Sequence, residues 1–176
     1  MSYRVGKFVA MLLVAVVLSV PAYAQTLDVY SIMPESFAVP FFEAFEEATG
    51  IKINFVRHSA GEVLARLIAE KNNPRVSMVF GGPADTFAAA ISEGVLEPYV
   101  PNGVEAIPAM YRQPEGYFTG IALNPIVFLT NREFLEENNM KAPSSWYDLL
   151  DPAYRNGLQM ADARTSGTGF NRIASI

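Results

Sequence analysis

The chain has 176 residues, with 13 lysines and arginines against 18 aspartates and glutamates, one histidine and no cysteine, so its net charge is −5. The lack of cysteine in this sequence excludes disulfides, zinc–thiolate sites, a cysteine nucleophile and a lipidated cysteine anchor. The acidic balance argues against nucleic acid as a partner, because neutralising phosphates requires clustered lysine and arginine. An anionic small ligand stays possible, since a local site can oppose the global charge.

The first 24 residues have the pattern of a secretory signal peptide. Arg4 and Lys7 form a positive n-region, Phe8–Val20 forms an apolar stretch of 13 residues, and Ala22–Ala24 matches the small-x-small cleavage pattern. An uncleaved anchor is the alternative, but 13 residues rise only about 20 Å as a helix against a hydrocarbon core of roughly 30 Å. We expect cleavage after Ala24 and a soluble, monomeric periplasmic chain of net charge −7, from 11 basic and 18 acidic residues.

The next part of the sequence predicts alternating strands and helices. Three β-rich segments are predicted as strands: Leu27–Ser31, Ile51–Phe55 and Val76–Phe80. Strand, helix, strand, helix, strand with short links indicates a parallel sheet covered by helices. Ligands of such sheets bind outside the carboxyl ends of the strands, where helix N-termini also point. This places the candidate site after the three strands.

Three helices are predicted between and after these strands. The first carries phenylalanines at helical spacing, with Pro40 in its first turn and Gly50 ending it. The second opens with the capping box of Ser59–Glu62. The third starts at Pro83 and ends before Gly94.

The second half of the sequence predicts a surface connection followed by a new apolar block. A proline-rich stretch at residues 97–115 is typical of a connection. After it, the predicted elements are strands at Thr119–Leu123 and Ile126–Thr130, a helix at Arg132–Asn138, a short helix at Pro143–Leu150, a strand at Leu158–Ala161, and a final helix after Thr165–Gly169. Asn124-Pro125 separates the first two strands, a break that suits a chain leaving one lobe for another. We expect one lobe over residues 25–123 and the beginning of a second over 124–176. The final helix lacks a stop signal, so we also expect a truncated chain rather than a natively short one.

Seven short motifs follow one another behind the signal-like segment: Leu27–Ser31 (LDVYS), Phe45–Lys52 (FEEATGIK), Ser59–Glu62 (SAGE), Val79–Gly82 (VFGG), Gly94–Tyr99 (GVLEPY), Trp146–Pro152 (WYDLLDP) and Thr165–Gly169 (TSGTG). Each is weak alone. Together, and in this order, they resemble the extracellular solute-binding proteins of ABC importers, in the two-lobed class that includes iron(III), thiamine and phosphonate binders.

The resemblance implies an α/β fold of the class II periplasmic-binding-protein type, with two parallel sheets joined by crossing strands. It implies a small-molecule solute trapped in the interlobe cleft, an ABC permease of the inner membrane as partner, no catalysis and no cofactor. The family is about twice this length. We therefore expect the second lobe to be incomplete at the C-terminus.

Nine residues are predicted to line that cleft: Ser31, Ser59, Gly81, Gly82, Asn124, Thr165, Ser166, Gly167 and Thr168. The Thr165–Thr168 segment combines hydroxyls with free helix N-terminal N–H groups, which favour an anion. Each candidate also has a purely local explanation. Ser59 can be explained by an N-cap role alone, and the glycine pair by a tight turn. Asn124 can be explained as part of a turn with Pro125, and Thr165–Thr168 as a helix cap with flexible glycines.

This donor set favours a phosphate- or phosphonate-like oxyanion as the ligand. Iron(III) is the alternative within the class, but the family's histidine after the first strand and glutamate after the third are replaced by Ile32-Met33-Pro34 and Gly82-Pro83. His58, the one histidine, is predicted as a solvated loop residue, so no metal site is predicted. An exported α/β hydrolase is the alternative from another class, although the sequence has no G-x-S-x-G motif.

Overall fold

A computed structural model describes residues 25–176 of the chain. The predicted signal peptide, residues 1–24, lies outside the described residues. Within residues 25–176, every helix is too short or too polar to cross a membrane.

A three-stranded parallel sheet organises the first half of the structure. Its strands are β1 (Thr26–Ser31), β2 (Lys52–Arg57) and β3 (Met78–Phe80), in the spatial order β2-β1-β3. Ser31, the last residue of β1, lies opposite Arg57 in β2 and Phe80 in β3. All three strands therefore end at the same edge, as the sequence predicted, although β3 begins two residues later than Val76.

Three helices follow these strands: α1 (Glu35–Thr49), α2 (Ala60–Ala69) and α3 (Ala84–Ser92). Helix α1 starts earlier than predicted, so Pro40 lies inside the helix and its placement in the first turn was wrong. The helix begins directly after Pro34, whose carbonyl accepts from the N–H groups of Phe37 and Ala38. Pro40 is exposed, so the carbonyl that its missing N–H leaves free can be hydrated.

The two faces of the sheet are covered by different helices. On one face Val29 packs against Ala38 and Phe42 of α1, with partly buried neighbours Leu27, Met33, Ile53, Phe55, Met78 and Phe80. On the other face Tyr30 lies under α2, where its hydroxyl donates to the Glu70 carboxylate at 2.9 Å and the Arg66 guanidinium lies 5.9 Å from its ring. Burial, together with the Glu70 carboxylate, raises the pKa of the Tyr30 hydroxyl. Alternating side chains of β1 thus anchor both helical layers.

The second half contains little regular structure. Its helices are α4 (Arg132–Glu137) and α5 (Gly167–Ala174), with 3₁₀ turns at Val104–Ala106, Ala109–Tyr111, Tyr147–Leu150 and Pro152–Tyr154. Both predicted α-helices are therefore present, while the predicted helix at Pro143–Leu150 is a shorter 3₁₀ turn.

The three strands predicted in this half are not formed, so those predictions were wrong for this structure. Thr119–Leu123, Ile126–Thr130 and Leu158–Ala161 have no ladder of strand hydrogen bonds, apart from one isolated bridge that joins Arg112 to Thr119. A strand is stable only when another strand pairs with its backbone, and none of the described residues supplies that partner here. Their apolar side chains are exposed accordingly, with Leu129 98% accessible. The lobe boundary at residue 124 stays a prediction.

Candidate functional site

The N-termini of α2, α3 and α5 meet at the carboxyl edge of the sheet. The Gly61 N–H of α2 donates to the Thr165 carbonyl, just before α5, at 3.2 Å. A Cβ built on Gly167, the first residue of α5, would lie 2.5 Å from Pro83 Cγ, before α3, and 3.1 Å from Ala60 Cβ in α2. We call this meeting point the three-helix junction. It brings Ser59, Gly81 and Gly82 together, as the parallel topology predicted. The Thr165–Thr168 turn, which the family resemblance placed in the cleft, lies beside them.

The junction favours negative charge most strongly at α5. Each helix N-terminus carries about half a positive charge from its aligned peptide dipoles. Helices α2 and α3 each have an acid in the first turn, Glu62 and Asp85, whereas the first turn of α5 has none. The positive end of α5 is therefore the one that its own side chains do not offset.

The turn that leads into α5 carries hydrogen-bond donors that have no acceptor within the described residues. The Ser166 hydroxyl oxygen accepts from the Gly169 N–H at 3.2 Å, and the N–H groups of Thr165 and Ser166 both donate to the Asp162 carbonyl. Within the described residues, the N–H groups of Gly167 and Thr168 and the hydroxyl hydrogens of Ser166 and Thr168 have no acceptor. These four donors belong to three consecutive residues and can serve the oxygens of one anion.

The loop before this turn is held by an ion pair. The Arg164 guanidinium donates to both Asp162 carboxylate oxygens, with the shortest contact at 2.6 Å. This pairing lowers the pKa of the Asp162 carboxyl. The Thr165 hydroxyl donates to the Asp162 carbonyl at 3.4 Å, so Thr165 contributes to the loop rather than offering a free donor.

Ser59 forms the predicted capping box. Its hydroxyl donates to Glu62 Oε2 at 2.9 Å and accepts from the Glu62 N–H at 3.4 Å, while its own N–H donates to the same carboxylate at 2.8 Å. The Ser59 N–H lowers the pKa of the Glu62 carboxyl. Because its hydrogen is committed to Glu62, the Ser59 hydroxyl is not a free donor for an oxyanion.

Replacing Ser59 by alanine is expected to lower the free energy of unfolding by about 1 kcal/mol, because the N-cap of α2 is lost. Urea unfolding followed by circular dichroism measures this. Ser36→Ala, at an exposed position of α1, is the matched control and should change stability by less than about 0.5 kcal/mol. Equal losses in the two variants would contradict a capping role.

His58 is more covered than predicted. Its ring packs edge to face on Tyr30 with centroids 5.5 Å apart, and only 17% of its side chain is accessible. Its Nδ1 lies 4.0 Å from Glu62 Oε2. His58 directly follows β2 and lies outside any regular element, as predicted. The prediction of a solvated ring was wrong, because the ring lies on the face of the sheet that α2 covers.

Three of the predicted site residues have packing roles. Ser31 ends the central strand β1, and Gly81 and Gly82 directly follow β3. Ser31 is fully buried, and its hydroxyl donates to the Met33 carbonyl at 3.1 Å. Gly81 and Gly82 have φ values of 78° and 105°, and a Cβ on them would lie 2.1 Å from Met33 Cγ and 2.6 Å from Ile32 Cδ1. They let the turn after β3 close against the turn after β1. Contact of these three residues with a ligand stays a prediction.

Asn124 lies in the exposed extended segment after residue 120. Within the described residues, no hydrogen bond joins its side chain to the three-helix junction. Its role in binding likewise stays a prediction.

Two residues near the junction were missed by the sequence analysis. Gly61 makes the backbone contact with Thr165; a glycine in the first turn of a helix, where it lowers helix propensity, is the signal that could have marked it. Asp85 Oδ1 is buried without a hydrogen-bond partner among the described residues. In the sequence, Asp85 looks like any other acidic residue in the first turn of a helix, so no signal could have marked it.

The described residues offer little to a metal ion. No three potential ligand side chains among histidine, aspartate and glutamate come together within residues 25–176. The α5 side of the junction offers hydroxyls, glycines and backbone N–H groups, which suit an anion, while the carboxylates Glu62 and Asp85 lie in the first turns of α2 and α3.

Comparison with known proteins gives the family. The family model described as bacterial extracellular solute-binding protein matches residues 76–172. The probable ABC transporter periplasmic-binding protein y4fP of Sinorhizobium fredii is 34% identical over 142 residues, covering 80% of this chain and 38% of the relative. A putative 2-aminoethylphosphonate-binding periplasmic protein of Salmonella typhi is 31% identical over 166 residues, covering 91% of this chain and 47% of the relative.

A solved structure supports the same assignment. The periplasmic binding protein AfuA from Actinobacillus pleuropneumoniae, with fructose-6-phosphate bound, matches with a TM-score of 0.77 at 28% identity, covering 81% of this chain and 46% of that protein. The predicted class II periplasmic-binding-protein fold is confirmed. This chain spans less than half the length of these three relatives. The chain belongs to the family of bacterial extracellular solute-binding proteins.

Proposed function

We propose that this chain is part of a periplasmic solute-binding protein that captures a phosphate- or phosphonate-like oxyanion and delivers it to an ABC permease of the inner membrane. The observation that carries the proposal is the three-helix junction. There Ser166, Gly167 and Thr168 offer four donors that have no acceptor among the described residues, at the start of a helix whose own first turn carries no acid. Such a site binds a tetrahedral oxyanion through backbone N–H groups and hydroxyls together.

The names of two relatives support this ligand class. The Salmonella typhi protein is named for 2-aminoethylphosphonate, and AfuA was solved with fructose-6-phosphate. These two compounds share only a phosphonate or phosphate group, which is the part that the junction can bind. The rest of the solute would contact other residues of the cleft, so the proposal names a chemical class and not one compound.

The alternative functions have less support. Iron(III) would need oxygen and nitrogen ligands brought together, and the described residues bring no such set together. A hydrolase would need an activated nucleophile, but within the described residues the polar contact of the His58 side chain runs to Glu62 and not to a hydroxyl. We therefore propose binding without turnover. The names of the relatives also support a periplasmic location.

Calorimetry on the full-length protein that contains this chain tests the proposal. The probes are 2-aminoethylphosphonate, fructose 6-phosphate and inorganic phosphate, with iron(III) citrate and a model ester as comparisons. We expect saturable binding of at least one phosphorus compound, recovered unchanged. Binding of iron(III) alone, or hydrolysis of the ester, would overturn the proposal.

Thr168→Val should weaken binding of the phosphorus compound about tenfold or more, because a hydrogen bond to a charged group contributes about 1.5–3 kcal/mol. Valine keeps the branched shape and removes only the free hydroxyl. Thr165→Val is the matched control, since the Thr165 hydroxyl already donates to the Asp162 carbonyl. An equal effect in both variants would argue that the loop, and not the Thr168 donor, determines affinity.

A further inference from the structure

Gly61 allows a close approach of two backbone segments that a residue with a Cβ would block. Its N–H donates to the Thr165 carbonyl at 3.2 Å. A Cβ on Gly61 would lie 2.8 Å from the Arg164 carbonyl oxygen and 3.3 Å from Thr165 Cα, both of them backbone atoms. Ordinary contacts of a Cβ begin at 3.4 Å, so the loop would have to move by about half an ångström or more.

The carbonyl that Gly61 holds belongs to the turn that carries the free donors. Thr165 directly precedes Ser166, Gly167 and Thr168, and its own N–H donates to the Asp162 carbonyl. The turn is therefore fixed on one side by its own loop and on the other by α2. Gly167 adds a second close approach, against Pro83 and Ala60. With no side chain in between, the start of α5 rests directly on the starts of α2 and α3.

We propose that Gly61 is a positioning residue for ligand binding: its N–H and its missing side chain seat the Thr165–Thr168 turn against α2, so that the donors of α5 face a ligand held at the sheet edge. The identity of the ligand in this inference rests on the proposed function. The contact between Gly61 and Thr165 is independent of that function. Gly61 touches no ligand in this scheme. It fixes the distance between residues that belong to the two predicted lobes.

Gly61→Ala in the full-length protein tests this positioning. We expect affinity for 2-aminoethylphosphonate or fructose 6-phosphate to fall about tenfold or more, because misplaced donors lose charge-assisted hydrogen bonds. Gly61→Val should weaken binding further, since a larger side chain moves the loop further. Gly157→Ala is the matched control, because a Cβ there would meet the Phe134 ring and the Tyr154 carbonyl oxygen, each at an ordinary 3.4 Å.

Two readouts separate positioning from a merely structural role. Thermal unfolding of the unliganded Gly61→Ala variant should change little, because the better helix propensity of alanine offsets the cost of displacing the Thr165 turn. The backbone amide resonances of Gly167 and Thr168 should shift in Gly61→Ala and stay in place in Gly157→Ala, with no ligand added. If Gly61→Ala leaves both those resonances and the affinity unchanged, the inference is wrong. If the wild type binds none of the probes, the proposed function fails, and the resonance shifts alone decide the role of Gly61.

Discussion

Phe42→Ala is expected to lower the free energy of unfolding by about 3–5 kcal/mol, the usual range for removing a buried phenylalanine from a core. Phe42 is only 5% accessible and lies at the centre of the cluster between α1 and the sheet. Its ring centroid lies 5.0 Å from that of Phe55 and 4.9 Å from that of Phe80, which join β2 and β3 to the helix. Alanine would leave a cavity that two facing strands cannot collapse to fill.

Phe37→Ala is the matched control, with the same change in the same helix. Phe37 is 60% accessible, so its removal should change stability by less than about 1 kcal/mol. Urea unfolding of the two variants, monitored by circular dichroism, measures the difference. Similar losses in both would mean that the α1 face carrying Phe37 is buried in solution and that the helix packs differently from this structure.

The first half of the fold could be predicted because its signals are local. The alternation of Ile53 and Phe55, the capping box of Ser59–Glu62 and the stop at Gly50 each act within a few residues. Pro40 was misplaced for the same reason, since a proline near a helix start is a local signal with two interpretations. Glu35, an acid in the first turn, is the local signal that favours the earlier start.

The second half could not be predicted in the same way, because strands depend on distant partners. The segments at residues 119–130 and 158–161 have β-like composition, yet no described strand pairs with them. Composition reports that a segment suits a sheet, not that a neighbouring strand is present. The exposed side chains of Leu123, Val127 and Leu129 are the visible result.

The candidate site was predictable in outline and not in detail. Parallel strands place their carboxyl ends together, so the gathering of Ser59 and Gly81 followed from topology. The Thr165–Thr168 turn was expected beside them only from the family resemblance, because the strand predicted before it is not formed. Which hydroxyls are free to donate did not follow, because Ser59 is committed to Glu62 and Thr165 to Asp162. Gly61 and Thr165 are more than a hundred positions apart in the sequence. A single sequence contains no local pattern from which their contact could be predicted.

Gly81→Ala is expected to lower the free energy of unfolding by about 2–5 kcal/mol, from two separate causes. The φ of 78° is left-handed, which costs a residue with a Cβ roughly 1–2 kcal/mol. The added Cβ would also lie 2.1 Å from Met33 Cγ and 3.2 Å from the Met33 backbone nitrogen. Overpacking of this kind adds about 1–3 kcal/mol, because Met33 belongs to the core cluster and cannot move freely.

Gly103→Ala separates these two causes. Gly103 has nearly the same φ, 79°, but a Cβ there would meet nothing within 4 Å. It should therefore lose only the backbone part, and the difference between the two variants reports the contact with Met33. Adding Met33→Ala to Gly81→Ala removes the clashing side-chain atoms and leaves only the backbone nitrogen at 3.2 Å, so the double variant should be less destabilised than the sum of the single ones. Strict additivity would mean that Gly81 is required for its conformation alone.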